Sequence, residues 1–436
     1  MTAAARRRGR AGLKEEQIAS GEPRIPLNDQ TTPGRGAAPQ SRSTFRQVFG
    51  VSEFRALWTA QVLSVAGDQL ARVALTLLVF QRTGSALLAA ITFAVSIVPA
   101  FVGGLTLSGL ADRLPRRQVM IASDLSRAVL VAIMAIPGMP VFLMICIFGV
   151  VTLIGAPFNA ARAAMYPDIL TGDLYVLGTA VTLTTLQFAQ VIGFAAGGAI
   201  VALFGVRTSL LADSATFLVS ALITRALVRA RPTARTTPRN RSLSRSDLSA
   251  GIRLVFGNPA LRTPMLLGWL VAFYDIPEGV VAPLSQSLGG GDLAAGLILA
   301  AAALGASLGA VGFSRLVGPQ QRLRWMTRIA PLAPGVLILF AFHPPLAAAL
   351  AILTVSGIFD CYQVAANATF VRATPPSQRS QAFGIVQGGM SLGQGTAMIL
   401  AGAAAERFAP SLVIATGGAI GAAAAIVVAL TRPRAS

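Results

Sequence analysis

Twelve apolar stretches recur along this 436-residue chain, each near the ~20 residues a helix needs to cross a hydrocarbon core of ~30 Å. They fall at roughly 57–80, 86–108, 118–137, 140–163, 176–203 and 209–228, then at 263–287, 293–316, 325–342, 345–367, 382–405 and 410–430. Lipid offers no partners to backbone polar groups, so such segments must satisfy them within helices. The fold class that follows is an all-α integral membrane protein of twelve transmembrane helices. Composition agrees, with 54% hydrophobic and only 12% charged residues and a mean hydropathy of +0.66. A soluble globular chain carries about 25% charge, so a soluble enzyme and a disordered scaffold are both excluded. The first run begins near Leu57, too late for a cleaved signal peptide.

Charge divides the chain further. Residues 1–50 mix Arg, Gly, Pro, Ser and Thr and read as a disordered basic cytoplasmic tail. Residues 51–228 hold six spans, 229–250 form a polar basic linker, and 251–436 hold six more with a short cytoplasmic tail. The 36 basic against 17 acidic residues leave a net +19. With both termini cytoplasmic, 31 basic residues fall in the tails and inner segments and 3 (Arg82, Arg207, Arg407) outside, with 2 (Arg72, Arg127) within spans. The positive-inside rule therefore assigns a multi-pass protein of the cell membrane with cytoplasmic termini and linker. The excess charge reads as topology and attraction to anionic lipid rather than as nucleic-acid binding.

The halves also repeat. Arg46-Gln-Val-Phe-Gly50 precedes the first span and Arg253-Leu-Val-Phe-Gly257 the seventh, 207 residues on. At that offset Arg55 matches Arg262 and Asp68 matches Asp275, while Asn159-Ala160 matches Asn367-Ala368 and Pro167 matches Pro375 at 208. Two six-helix bundles in parallel register imply a pseudo-two-fold axis along the membrane normal, around a central cavity that rocking opens to each side in turn. A carrier needs this arrangement and a channel does not.

Four segments carry a family resemblance. Gly109-Leu-Ala-Asp-Arg-Leu-Pro-Arg-Arg117, after the second span, resembles the signature loop of the major facilitator superfamily, G-x-L-A-D-R-x-x-R-R. Gly193-Phe-Ala-Ala-Gly-Gly198 resembles the glycine-rich fifth helix of that superfamily's exporters. Gly67-Asp68 and Phe158-Asn-Ala-Ala-Arg-Ala-Ala-Met-Tyr-Pro-Asp168 are similar to its macrolide-efflux and siderophore-export branch. The resemblance spans roughly 45–430 and implies a secondary active transporter working by alternating access, a proton-coupled antiporter exporting small, partly apolar molecules such as drugs, siderophores or secondary metabolites. An uptake carrier for a small metabolite and a non-transporting receptor or scaffold on the same fold are the alternatives. The second-half copy of the loop, near Gly312-Phe-Ser-Arg315, lacks the acid, and Val141–Val151 lacks the arginine many drug exporters carry there.

Ionisable groups inside spans are expensive, about 2.5–3.5 kcal/mol at a helix centre, so they mark the candidate site. Asp68 lies at mid-depth of the first span, and Gln61, Ser64, Asp68 and Arg72 share one face at helical spacing. They line a proton-coupling or substrate cavity, or else Asp68 and Arg72 satisfy only each other at i, i+4. Asp275 occupies the matching depth in the seventh span with Glu278 at i+3. Two carboxylates close together in low dielectric resist joint ionisation, the property a proton-coupled carrier requires. The alternative is a wet outer vestibule in which both titrate normally.

Asp124 and Arg127 read as an inner-half structural or gating pair, and Asp360 with Gln363 as a weaker cavity pair. Asp213 is expected near the outer end of the sixth span, where it can be solvated. Gly109, Asp112, Arg113, Arg116 and Arg117 form the cytoplasmic gating motif. There a carboxylate can meet a helix start and arginines can fork across the bundle interface, or Arg116 and Arg117 anchor to lipid phosphate. Gly193, Gly197 and Gly198 allow close helix packing, and Phe101, Trp269, Phe273 and Tyr274 are candidates for an apolar lining.

Cys146 and Cys361 lie in apolar runs and read as small buried residues. His343 is the sole histidine and Lys14 the sole lysine. That leaves no histidine triad, no multi-histidine metal site and no G-x-x-x-x-G-K-[ST] phosphate loop. The chain is thus not an enzyme and needs no cofactor. Its expected partners are a small-molecule substrate, protons and the bilayer, with the chain acting as a monomer.

Overall fold

The structure, a computed structural model, describes residues 44–107, 109–231, 245–375 and 378–431. These form helices throughout, and the spans are numbered 1 to 12 in chain order. Span 1 is Ser52–Thr83, span 2 Ala86–Thr106, span 3 Arg116–Met134 and span 4 Val141–Ile169. Spans 5 and 6 lie in the helical run Asp173–Leu227, broken at Gly205, where φ is 79°. That left-handed conformation is open to glycine at no steric cost, so the chain reverses there without a separate loop. Span 7 comprises Pro259–Gly279 and Val281–Ser287 bent by 49°, and span 8 is Gly291–Leu316. Spans 9 to 12 are Trp325–Phe342, Leu346–Ala373, Arg379–Ala405 and Pro410–Leu430.

Local chemistry explains the span ends. Gly84 terminates span 1 with φ 66°, and the Ser85 side chain caps span 2 by accepting from Leu88 N–H at 3.1 Å. Asn258 caps span 7 through Ala260 N–H at 3.0 Å, with Pro259 at the first helical position. Span 7 divides at mid-depth into Val271–Tyr274, Ile276–Gly279 and Val281–Ser287. Pro277 causes part of this, because it has no N–H to give to the carbonyl four residues back. Its repeat partner, span 1, has no internal proline and runs unbroken for 32 residues. Two stretches differ from the sequence reading: Phe45–Gly50, assigned to the tail, is a short helix, and the end of the linker is helical from Arg245 to Gly257.

The repeat has a structural counterpart in Val48 and Val255, 207 residues apart and both fully buried just ahead of their bundles. The bundles meet along two seams, span 5 against span 8 and span 2 against span 11. A Cβ on Gly198 would lie 2.7 Å from the Cα of Gly296, so that crossing needs glycine on both sides. In the other seam a Cβ on Gly402 would lie 3.0 Å from the Ala86 carbonyl oxygen, and one on Gly395 2.7 Å from Val98 Cγ2. Between the seams Val73, Phe93, Phe194, Ile276, Val280 and Met398 form one buried apolar cluster drawn from both halves.

Candidate functional site

The polar face of span 1 turns into its own bundle. Asp68 Oδ1 pairs with Arg127 Nη2 of span 3, Ser64 Oγ accepts from Arg127 Nη1 at 3.3 Å, and Gln61 Oε1 accepts from the Tyr166 hydroxyl at 3.4 Å. The i, i+4 pairing of Asp68 with Arg72 does not form; Asp68 has a partner from another helix instead. Asp124 lies 3.8 Å from Arg127 Nη1, a looser contact than i, i+3 spacing suggests, and its Oδ2 accepts from Ser220 Oγ at 2.5 Å. The Arg127 guanidinium also lies 3.9 Å from the centre of the Phe217 ring.

Asp213 corrects the sequence reading. Expected in solvent, it is 1% exposed and packs against Gly67, where a Cβ would collide with Thr216 Oγ1 and Asp213 Oδ1. Its Oδ2 has no hydrogen-bond partner, and neither does Asp124 Oδ1. Three carboxylates thus surround one guanidinium inside the first bundle. Its sequence signal was the glycine beside Asp68, which lets span 6 approach span 1.

The second bundle holds a different group. Asp275 sits at a break in span 7 and its Oδ2 accepts from Gln394 Nε2 of span 11 at 2.6 Å. The Tyr274 hydroxyl donates to Asp360 Oδ1 and accepts from Gln363 Nε2 at 2.9 Å. Glu278, half-buried, makes no hydrogen bond to a described residue. The sequence reading missed Gln394, although it stands between Gly393 and Gly395 in the seam helix.

Arg72 lies where the halves meet. Its guanidinium is 5.4 Å from the Phe93 ring centre and 6.0 Å from that of Phe194, and its Nε has no hydrogen-bond partner. Glu278 of the opposite bundle and Asp68 both favour its charge. The expected cavity face therefore divides: Gln61, Ser64 and Asp68 serve span contacts within one bundle, and Arg72 packs against the Phe93 and Phe194 rings beside the interface.

The remaining candidates are spread along the seams and at one end. A Cβ on Gly193 would lie 2.9 Å from the Ala66 carbonyl oxygen and one on Gly197 3.3 Å from Val73 Cβ, both tight approaches to span 1. Phe101 meets span 11 at Gly388, and Trp269 Nε1 donates to the Val386 carbonyl at 3.1 Å. In the 109–117 loop, Gly109 has open space beside it and Arg113 is exposed, while the Asp112 side chain lies outside the described residues. Arg116 pairs with Asp168 of span 4 at 2.6 Å, and Arg117 donates to the Arg225 carbonyl. Of the cysteines only Cys361 is buried; Cys146 is exposed on span 4.

At the opposite end polar contacts tie the bundles together. Gln81 Nε2 donates to Asp292 at 2.9 and 3.1 Å. Glu406, just past span 11, accepts from Leu87 N–H at 2.9 Å and Ser85 Oγ at 2.6 Å at the start of span 2. Those hydrogen bonds hold its carboxyl below the ordinary carboxylate range, the Leu87 N–H contributing most.

Twelve spans in two bundles, with charged groups buried among them, define a multi-pass membrane protein of the carrier type. The family model of the Major Facilitator Superfamily matches residues 57–358 and 279–436. The chain belongs to the Major Facilitator Superfamily and is a transporter of small molecules, not an enzyme. It is 26% identical over 370 residues to the multidrug efflux pump Tap of Mycolicibacterium fortuitum, covering 80% of this chain and 88% of that protein. It is 27% identical over 317 residues to Tap of Mycobacterium tuberculosis, covering 69% and 74%. Among solved structures, a mutant form of the peptide transporter POT in complex with alafosfalin superposes with a TM-score of 0.69 at 10% identity, covering 90% and 99%. The nucleoside transporter NupG gives 0.61 at 16% identity, covering 86% and 97%. These likenesses establish the fold.

Proposed function

We propose that this transporter is a proton-coupled exporter of small, partly apolar molecules, working by alternating access as a monomer in the cell membrane. One observation carries the reading: the interior of the spans holds more acid than base. Asp68, Asp124 and Asp213 share Arg127, and of Asp275, Glu278 and Asp360 it is Glu278 that Arg72 balances across the interface. Uncompensated charge inside a helix bundle is costly, so protons or a cationic cargo must supply the balance. A carrier that exchanges one for the other uses that requirement as its coupling. Asp275 and Glu278, at the broken centre of span 7, are the exchange groups, with Arg72 of span 1 acting on Glu278, Asp68 held by Arg127 within the first bundle and Gln61 holding span 1 to span 4.

Export as the direction is supported by the resemblance to Tap, a multidrug efflux pump in its own organisms. The gating role belongs to Gly109, Asp112 and Arg113 at the end opposite Glu406. Arg116, already held by Asp168 of the same bundle, braces that loop. The arginine distribution puts this end and the linker in the cytoplasm.

The test is flux in proteoliposomes under an imposed proton gradient, using fluorescent amphipathic drugs as cargo. Asp275→Asn with Glu278→Gln should abolish gradient-driven flux while leaving the protein folded and cargo binding measurable. Flux at the wild-type level in that double variant refutes the coupling. Single cysteines placed in the 229–248 linker of the same preparations should react only from the cytoplasmic side.

A further inference from the structure

At the end carrying the 109–117 loop, the start of span 3 and the end of span 6 form an open pocket of ≈ 230 Å³ lined by Pro115, Arg117, Gln118, Ile121, Arg225 and Ala230. Its two arginines differ from their neighbours. Arg116 is paired with Asp168 at 2.6 Å and Arg231 with Glu53 at 2.6 Å. Arg117 and Arg225 have no carboxylate among the described residues. Arg117 gives one Nη2 hydrogen to the Arg225 carbonyl and keeps its Nε buried without a partner. Two guanidinium groups with no carboxylate partner among the described residues thus line one concave pocket with Ile121 and Pro115 in its wall.

The surroundings identify the kind of anion. Leu114, Leu125, Leu222 and Leu227 near this pocket are 48%, 44%, 64% and 58% exposed. On a membrane-spanning chain such leucines belong against acyl chains, while the arginines lie at span ends, at headgroup level. A ligand that fits both has a phosphate at one end and hydrocarbon at the other.

We propose that the Arg117–Arg225 pocket is a binding site for the headgroup of an anionic phospholipid, seated between spans 3 and 6. The guanidinium fork matches phosphate oxygens in pairs, and Gln118 adds a neutral donor for the glycerol side. Occupancy ties the start of span 3 to the end of span 6, and so braces the loop that carries Arg113.

Native mass spectrometry of the full-length protein in detergent, titrated with phosphatidylglycerol or phosphatidylcholine, tests the site directly. The wild type should retain one phosphatidylglycerol in preference to phosphatidylcholine. A charge near the membrane surface contributes about 1 kcal/mol, so Arg117→Gln with Arg225→Gln should weaken that preference roughly ten- to thirtyfold. Arg315→Gln, an exposed charge outside the pocket, should leave it unchanged. If the glutamine variant fails to fold, Arg117→Lys with Arg225→Lys keeps the charge and should retain most of the preference while losing the paired fork. Equal retention of both lipids by the wild type overturns the proposal, as does an undiminished preference in a folded double variant. Inorganic phosphate displacing the lipid at equal concentration would make the pocket a free-phosphate site and overturn it too.

Discussion

Arg127 is shared. It touches Asp68 and, more loosely, Asp124, while the third carboxylate of the cluster, Asp213, keeps one oxygen without a partner. Removing one member of a buried charge group leaves the others uncompensated, which costs about 3–5 kcal/mol. Arg127→Gln should therefore lower the thermal unfolding midpoint of the purified protein sharply. Adding Asp68→Asn to it should restore part of the loss, because one of the stranded charges goes with it. A midpoint unchanged by Arg127→Gln would show that the cluster does not depend on this cation. Sequence spacing could not reveal that pairing: on span 1 alone, Arg72 at i+4 is the nearest available partner. Only the packing of span 3 against span 1 offers Asp68 a better-placed guanidinium.

At the scale of the element, the crossing of span 5 with span 8 depends on backbone meeting backbone. A side chain on Gly296 would meet the Phe194 carbonyl oxygen at 2.6 Å and Gly198 Cα at 2.7 Å, atoms that cannot rotate away. Gly296→Val should destabilise the protein by about 1–3 kcal/mol, as overpacking does, and should show as reduced yield of monodisperse protein. Gly312→Ala in the same span, with open space at its Cβ, is the neutral control; an equal loss there would remove the seam as the cause. The glycines were legible in the sequence as packing residues, yet their partners were not. Gly193 and Gly197 serve the interior of one bundle, whereas Gly198, one residue on, serves the join between two. A helix turns 100° per residue, so neighbouring glycines face different helices, and only the fold says which.

For the whole molecule, the contact between bundles that responds to solution pH is that of Glu406 with the start of span 2. Its carboxylate is held low by hydrogen bonds that exist in the folded protein, so it contributes stability above the ordinary carboxylate pKa of about 4.3. That contribution is lost as pH falls through its lower folded value. Between about pH 5 and pH 3 the wild type should lose thermal stability more steeply than Glu406→Gln, whose amide can accept from Leu87 but does not titrate. Parallel curves for the two proteins would exclude Glu406 from the acid response. Gln81 and Asp292 stand at the same end, so weakening one tie leaves a second in place.

Hydropathy, charge placement and the 207-residue offset determined much by themselves: twelve spans, two related halves and expensive acids at mid-depth. Each of these follows from local quantities, since burial in lipid and helix length are properties of a segment. Asp275 stood out as an acid at the centre of an apolar run. The tertiary structure decided which charges meet. It buried Asp213, gave Asp68 to Arg127, set Arg72 against Phe93 and Phe194 and left Arg117 and Arg225 lining an open pocket. The physical reason is that a charge in low dielectric takes the partner nearest in space. Nearness in space belongs to the packing of helices far apart in the chain, which no local pattern encodes.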